Sequence, residues 1–154
     1  MLLIHCMANT ATANIILTLM GACEKLAAEY AQVEEDRIKN NGNSAICIID
    51  SDGNVYGKMF GTDKIKMRET YNTAWLKASQ VHITGINTGD YEKLVFNEAI
   101  NDKQFGIKRC DLIGFKGGML ITFKDGIKLS IAFSGFRGVT DVELIERAVA
   151  TLEY

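Results

Sequence analysis

Met119-Leu120-Ile121-Thr122-Phe123-Lys124-Asp125-Gly126-Ile127-Lys128-Leu129-Ser130-Ile131-Ala132-Phe133 is the stretch that decides the fold class. Two apolar runs flank Lys124-Asp125-Gly126, and a D-G pair between such runs is a compact hairpin signal. In the second run Ile127, Leu129, Ile131 and Phe133 alternate with Lys128, Ser130 and Ala132, so one face of that strand is expected to be buried. A hairpin fixes two neighbours as antiparallel, because parallel strands need a long crossover.

Upstream, Ala45-Ile46-Cys47-Ile48-Ile49 is continuously apolar and reads as a strand covered on both faces. Asp50-Ser51-Asp52-Gly53-Asn54 is a turn cluster, and Val55 to Phe60 returns as a second strand. Leu112 to Phe115 reads as a further strand. Cys23, Leu26, Ala27, Tyr30 and Val33 recur at helical spacing between about Ala22 and Asn40, with Gly42 available for a left-handed cap. Met67, Tyr71, Ala74, Trp75 and Ala78 mark one face of a second helix, and Tyr91 to Ile100 carries a shorter one. The last helix is expected to start near Thr140 with Glu143 completing a capping box, and to bury Val142, Ile145, Val149 and Leu152. The order is helix, two strands, two helices, three strands, helix. It predicts an α/β protein of the α+β kind, an antiparallel sheet of about five strands with helices packed on it.

The chain has 154 residues, a length at which one core is efficient and two would each be marginal. Residues 1–21 are expected to form an N-terminal arm or extension, and residues 22–154 a single domain. Apolar residues make up 47% and charged residues 23%, the balance of a packed globular protein. A net charge of −2, without clustered Lys and Arg, gives no footprint for nucleic acid. The acidic group Glu34-Glu35-Asp36 reads as a solvated helix face. Cys6, Cys23, Cys47 and Cys110 have neither metal-site nor disulfide-framework spacing, and Cys47 reads as a small buried thiol. Leu19-Met20-Gly21-Ala22-Cys23 loosely resembles a lipoprotein cleavage site, yet no Lys or Arg precedes it. Ile15 to Met20 is too short to span a bilayer. A cytoplasmic protein without membrane partners is the expectation.

Five motifs in order resemble the GlcG/HbpS family, which includes the C-terminal domain of PduO-type cobalamin adenosyltransferases. They are Ile48-Ile49-Asp50 followed by Gly53-Asn54, Trp75-Leu76-Lys77-Ala78, Thr88 before a short helix, Phe115-Lys116-Gly117-Gly118, and Ser134-Gly135 followed by Asp141 and Ala148. The departures are Lys58-Met59-Phe60-Gly61, without the family's aspartate, Gly118-Met119-Leu120, without its proline, and Leu129 and Ala132 in place of strand glycines. The resemblance implies a profilin-like fold, a homo-oligomer, and haem or other small-ligand binding.

Ser134-Gly135-Phe136-Arg137-Gly138-Val139-Thr140-Asp141 joins a strand to a helix N-terminus, where free N–H groups and the dipole favour an anion. Arg137 could add a charge-assisted bond, or the segment could be a plain turn with Thr140 as cap. Gly117-Gly118 lets backbone approach a ligand, or permits a tight bend. Lys77 is either a buried ligand-binding cation or an exposed helix lysine, and Asp50 either a ligand acceptor or a turn former. Thr88 joins this group by resemblance. His5 and His82 are the imidazoles available to haem iron, and His82 is the better placed. No G-x-S-x-G elbow and no carboxylate pair for hydrolysis is present.

These residues frame three functions. The first is a non-catalytic module binding haem, another tetrapyrrole or a small anionic metabolite at Asp50, Lys77, Thr88, Gly117, Gly118, Ser134, Gly135 and Arg137. The second is a structural or accessory subunit of a diol- or corrinoid-type metabolic assembly. The third is an enzyme that moves protons with Lys77 or Asp50.

Overall fold

The computed structural model of the chain describes residues 2–101 and 103–152. Its elements are α1 (Leu2–Tyr30), α2 (Glu34–Asn40), β1 (Ser44–Asp50), β2 (Val55–Phe60), α3 (Lys64–Thr84), α4 (Asp90–Phe96), β3 (Gly118–Thr122), β4 (Lys128–Ser134) and α5 (Gly138–Ala150). The four strands form one antiparallel sheet in the order β2-β1-β4-β3. Both expected hairpins are present. Gly126 N–H donates to the Phe123 carbonyl in the β3–β4 turn, and Gly53 N–H to the Asp50 carbonyl in the β1–β2 turn.

Strand alternation sorts the core into two layers. Ile46, Ile48, Leu129, Ile131 and Phe133 point to α1 and α5, where Ile16, Leu19, Cys23, Leu144, Ile145 and Ala148 meet them. Ala45, Cys47, Ile49 and Ala132 point the other way, against Ala74 and Ala78 of α3. Small side chains on this second face allow a helix to lie close to the sheet. β4 is therefore buried on both faces and not on one, since Ser130 and Ala132 lie beneath α3.

Other departures from expectation have local causes. The first helix does not begin near Ala22. α1 is continuous from Leu2, Ile16 and Leu19 are core residues, and the 21/22 boundary falls inside a helix. That helix also stops at Tyr30, and Val33, in extended backbone, starts the separate α2. Leu112 to Phe115 is not a strand, which leaves four strands among the described residues and not five. The buried Gln80 side chain occupies both backbone groups of Ile113, accepting from its N–H at 2.9 Å and donating to its carbonyl at 3.0 Å. α3 turns polar residues inward, burying Thr70, Lys77 and Gln80 along with Ala74, Ala78 and Val81, while Trp75 stays exposed. α5 starts at Gly138, not near Thr140, and Leu144 and Ala148 complete the stripe begun by Ile145 and Val149. Among the described residues, no helix is long and apolar enough to cross a membrane.

The two layers respond oppositely to side-chain volume. Ile48→Ala is expected to lower stability by about 2–5 kcal/mol through a cavity. Ala78→Leu is expected to lower it by about 1–3 kcal/mol through overpacking under α3. Urea unfolding of the two variants measures both.

Candidate functional site

Lys77 and Asp141 meet where α3, the end of β4 and the first turn of α5 converge. Each side chain is only 2% exposed, and Lys77 Nζ lies 3.0 Å from Asp141 Oδ2. The same ammonium donates to the Phe133 carbonyl at 2.9 Å, and Phe136 N–H donates to Asp141 Oδ1 at 3.2 Å. Gly117 and Gly118 form the adjoining wall. Gly117 has φ +109°, and a Cβ there would stand 2.9 Å from Lys77 Nζ and 2.7 Å from Asp141 Cβ. A Cβ on Gly118 would stand 2.8 Å from Thr88 Cγ2 and 3.2 Å from Lys77 Cβ. Thr88 Oγ1 accepts from Gly118 N–H at 2.9 Å, and Thr88 N–H returns a bond to the Gly118 carbonyl. Ser134 pairs with Ala45 at the end of β4, and Gly135 abuts Ser44 and the Asn43 carbonyl.

Six of the expected ligand residues, Lys77, Thr88, Gly117, Gly118, Ser134 and Gly135, are thus gathered at one end of the sheet. The backbone approaches Lys77 itself there, where a bound molecule was expected. Burial lowers the affinity of Lys77 for its proton, an effect that Asp141 opposes. Burial likewise pushes the Asp141 carboxyl up to about 6 against the pull of Lys77.

The anion expected at the amino end of α5 is a carboxylate of the chain itself. Asp36, buried in α2, accepts Arg137 N–H at 3.1 Å and Arg137 Nε at 2.9 Å on Oδ1, and Arg137 Nη2 at 3.0 Å on Oδ2. Thr140 Oγ1 donates to the same carboxylate, which replaces the capping role expected of it. Burial of Asp36 raises its proton affinity, but the Arg137 side chain, the Arg137 backbone and Thr140 together hold it below the usual carboxylate range. Glu34 and Glu35 are solvated as expected, and Asp36 is not. Arg137 is spent on this pair. Lys39 closes the neighbouring backbone, donating to the Phe136 carbonyl at 2.8 Å.

Asp50 is a turn former. Its Oδ1 accepts from the N–H groups of Asp52 and Asn54 at 3.0 and 2.9 Å, and its Oδ2 from Asn54 Nδ2 at 2.9 Å and Tyr56 OH at 3.4 Å. His82 lies apart from the glycine convergence, exposed in the last turn of α3. It shares a cleft of about 220 Å³ with Asp50, Ser51, Gly85, Lys128 and Ser130. A Cβ on Gly85 would meet nothing within 4 Å, so that wall stands open. Within the cleft, His82, Lys128 and Ser130 present polar side chains beside Asp50 and Ser51, which are bonded within the chain. Among the described residues, no group of three or more His, Cys, Asp or Glu side chains could hold a metal ion.

Sequence reasoning missed Asp36 and Gln80 and named Asp141 only as a member of a motif, without a role at the site. Asp141 did carry a signal, because it stands in the Ser134-Gly135…Asp141…Ala148 ending whose members are all buried. Asp36 and Gln80 carried none, since a carboxylate in an acidic run and an amide in a helix are ordinary surface residues.

No protein-family model matches the sequence, and no curated protein does. Solved structures do match. Klebsiella pneumoniae protein ORFY, a DUF336 protein, has a TM-score of 0.63 at 15% identity, over 89% of this chain and 86% of that one. The PduOC:haem complex has a TM-score of 0.60 at 18% identity, over 86% and 90%. HbpS has a TM-score of 0.55 at 18% identity, over 88% and 89%. This chain shares their fold along nearly its whole length, the GlcG/HbpS-type fold that its motifs resemble.

Removing one partner of a buried ion pair leaves an uncompensated charge, so Lys77→Met is expected to cost about 3–5 kcal/mol at neutral pH. Lys77→Met combined with Asp141→Leu should cost far less than the two single changes added together. The pH dependence has a fixed sign. In Lys77→Met the native Asp141 keeps its proton where the unfolded chain has lost it, so stability falls as pH rises from about 4 through 6 and beyond. Asp36, held low, acts oppositely, and its contribution is lost as pH falls below the ordinary carboxylate range. Urea midpoints of the wild type, the Lys77→Met variant and an Asp36→Asn variant across this range separate the two.

Proposed function

We propose that this chain is a non-catalytic ligand-binding module of the cytoplasm whose ligand meets it at the His82 cleft. One observation carries the proposal. His82 keeps an exposed imidazole on an open rim, while Asp50, Lys77, Thr88 and Arg137 are engaged within the chain, and the side chain of His5 lies outside the described residues. A cleft of about 220 Å³ lies below the roughly 300–1,000 Å³ usual for enclosed drug-sized ligands, so the ligand is small or only partly enclosed.

Haem is the specific ligand that the likeness to the PduOC:haem complex supports. Its fit here is that of a surface ligand. If haem binds here, the His82 imidazole would hold its iron and Lys128 would pair with a carboxylate of the group, while no second His, Cys or Met lines the cleft. When bound, haem would supply iron chemistry, and this chain would supply its attachment. The free thiols of Cys23, Cys47 and Cys110 accord with a reducing compartment.

The second reading, a structural or accessory subunit, draws on the closure of the glycine-framed convergence by Lys77 and Asp141. Proton transfer by Lys77 or Asp50 has no such support, since both side chains are withdrawn from solvent and fully engaged.

Hemin titration followed in the visible range tests the proposal. The expected result is a saturable Soret shift that His82→Ala weakens at least about tenfold, a loss of about 1.4 kcal/mol in binding. No shift in the wild type, together with no thermal stabilisation by phosphate or citrate, rejects ligand binding in favour of the structural reading.

A further inference from the structure

Three Asn-Gly or Asp-Gly pairs occur in the chain, Asn41-Gly42, Asp52-Gly53 and Asp125-Gly126. A glycine in second place carries no side chain to shield its nitrogen, which can attack the carbonyl carbon of the preceding side chain. The attack needs a nitrogen free of hydrogen bonds and a peptide that can rotate. The fold treats the three pairs differently. Gly53 N–H donates to the Asp50 carbonyl at 3.1 Å, and Gly126 N–H to the Phe123 carbonyl at 2.9 Å, so both nitrogens are held in hairpin turns. Gly42 N–H donates to no acceptor among the described residues, and the Asn41 carboxamide is likewise unbonded. Asn43, which precedes Ser44, is closed off. It is 1% exposed, its Oδ1 accepts from Thr62 N–H and Asp63 N–H at 3.1 and 3.0 Å, and its Nδ2 donates to the Asn40 carbonyl at 2.9 Å.

Asn41 is the exposed, left-handed residue that ends α2, with φ +50° and ψ +40°. At this ψ the Gly42 nitrogen points away from the Asn41 side chain, so the peptide between them must flip before a ring can close. Little holds that peptide. The flip breaks only the contact of the Asn41 carbonyl with Asn43 Nδ2, at a long 3.4 Å, and glycine at position 42 absorbs the backbone change. The Gly42 nitrogen then gives its proton to water and bonds to Asn41 Cγ. The Cγ–Nδ2 bond breaks, and the nitrogen takes up a proton and leaves as ammonia. Water opens the resulting cyclic imide at one carbonyl or the other, leaving aspartate or isoaspartate.

We propose that Asn41-Gly42 is a site of spontaneous deamidation in the folded protein, and that its isoaspartyl product loosens α2. The isoaspartyl linkage adds a main-chain carbon directly between α2 and Asn43. On one side of it α2 carries Asp36, which holds Arg137 and Thr140. On the other side Asn43 holds the backbone of Thr62 and Asp63 ahead of α3. This inference does not rest on the His82 cleft, which lies at the other end of β1.

Peptide mapping by mass spectrometry tests it, on full chain aged at mildly alkaline pH both folded and in urea. Asn41 is expected to convert in the folded protein within about tenfold of its rate in urea, whereas folding should slow isomerisation of Asp52 and Asp125 by more than about tenfold. The isoaspartyl fraction, separated by charge, should unfold at a lower urea concentration than fresh protein. Asn41→Gln should keep its own urea midpoint unchanged through the same treatment. An Asn41 that folding protects more than about tenfold, or that converts in neither state, overturns the site. Equal protection at all three positions overturns the role given to the hydrogen bonds. An isoaspartyl fraction as stable as fresh protein overturns the loosening of α2.

Discussion

Burying the Lys77 ammonium forces three parts of the chain to meet. Taking such a charge out of water carries a penalty of several kcal/mol, so a lysine 2% exposed needs a partner and further hydrogen bonds. Asp141 supplies the partner from α5, and the Phe133 carbonyl supplies a second acceptor from β4. Because α3 and α5 cover opposite faces of the sheet, this contact ties the two helical layers together around its end. It also explains the glycines. Gly117 and Gly118 pass so close to Lys77, Thr88 and Asp141 that a Cβ at either position would have to displace its neighbours.

The loop from Ser134 to Asp141 follows the same logic with a second carboxylate. A strand that delivers a helix N-terminus exposes backbone N–H groups that favour negative charge. Asp36 meets that demand from α2, and the break in the helix at Ala31 to Val33 lets α2 turn toward α5. Arg137, which on its own would attract an outside anion, completes a bidentate pair. Two internal carboxylates thus occupy the places where a ligand's negative charge was expected.

Periodicity and turn chemistry made the sheet legible. The D-G hairpin, the apolar run of β1 and the Asp50 turn are local signals, and each formed where the residues indicate. The gathering of Lys77, Thr88, Gly117, Gly118, Ser134 and Gly135 was legible too, through motif resemblance. What escaped was pairing at long range. Asp36 lies 101 residues from Arg137, Gln80 lies 33 from Ile113, and no local pattern announces that these side chains will be buried together. The same gap misplaced the inner face of α3. A helix that buries Thr70, Lys77 and Gln80 does not show an apolar stripe, because its inward positions are satisfied by bonds and not by hydrophobicity. His82 was picked as an imidazole, and its separation from the glycines was visible only in three dimensions.

Whether the glycine-framed end of the sheet is closed by the chain's own ion pair is decided most directly at the Asp141 carboxyl. Carbon-13 NMR of that carboxyl, followed against pH, reports its ionisation in the intact protein. Closure predicts a midpoint near the value of about 6 that burial imposes, and a higher one when Lys77 is replaced by Met. A midpoint in the ordinary aspartate range, unmoved by that replacement, would mean that water reaches the carboxyl and that an open pocket stands where the pair is described.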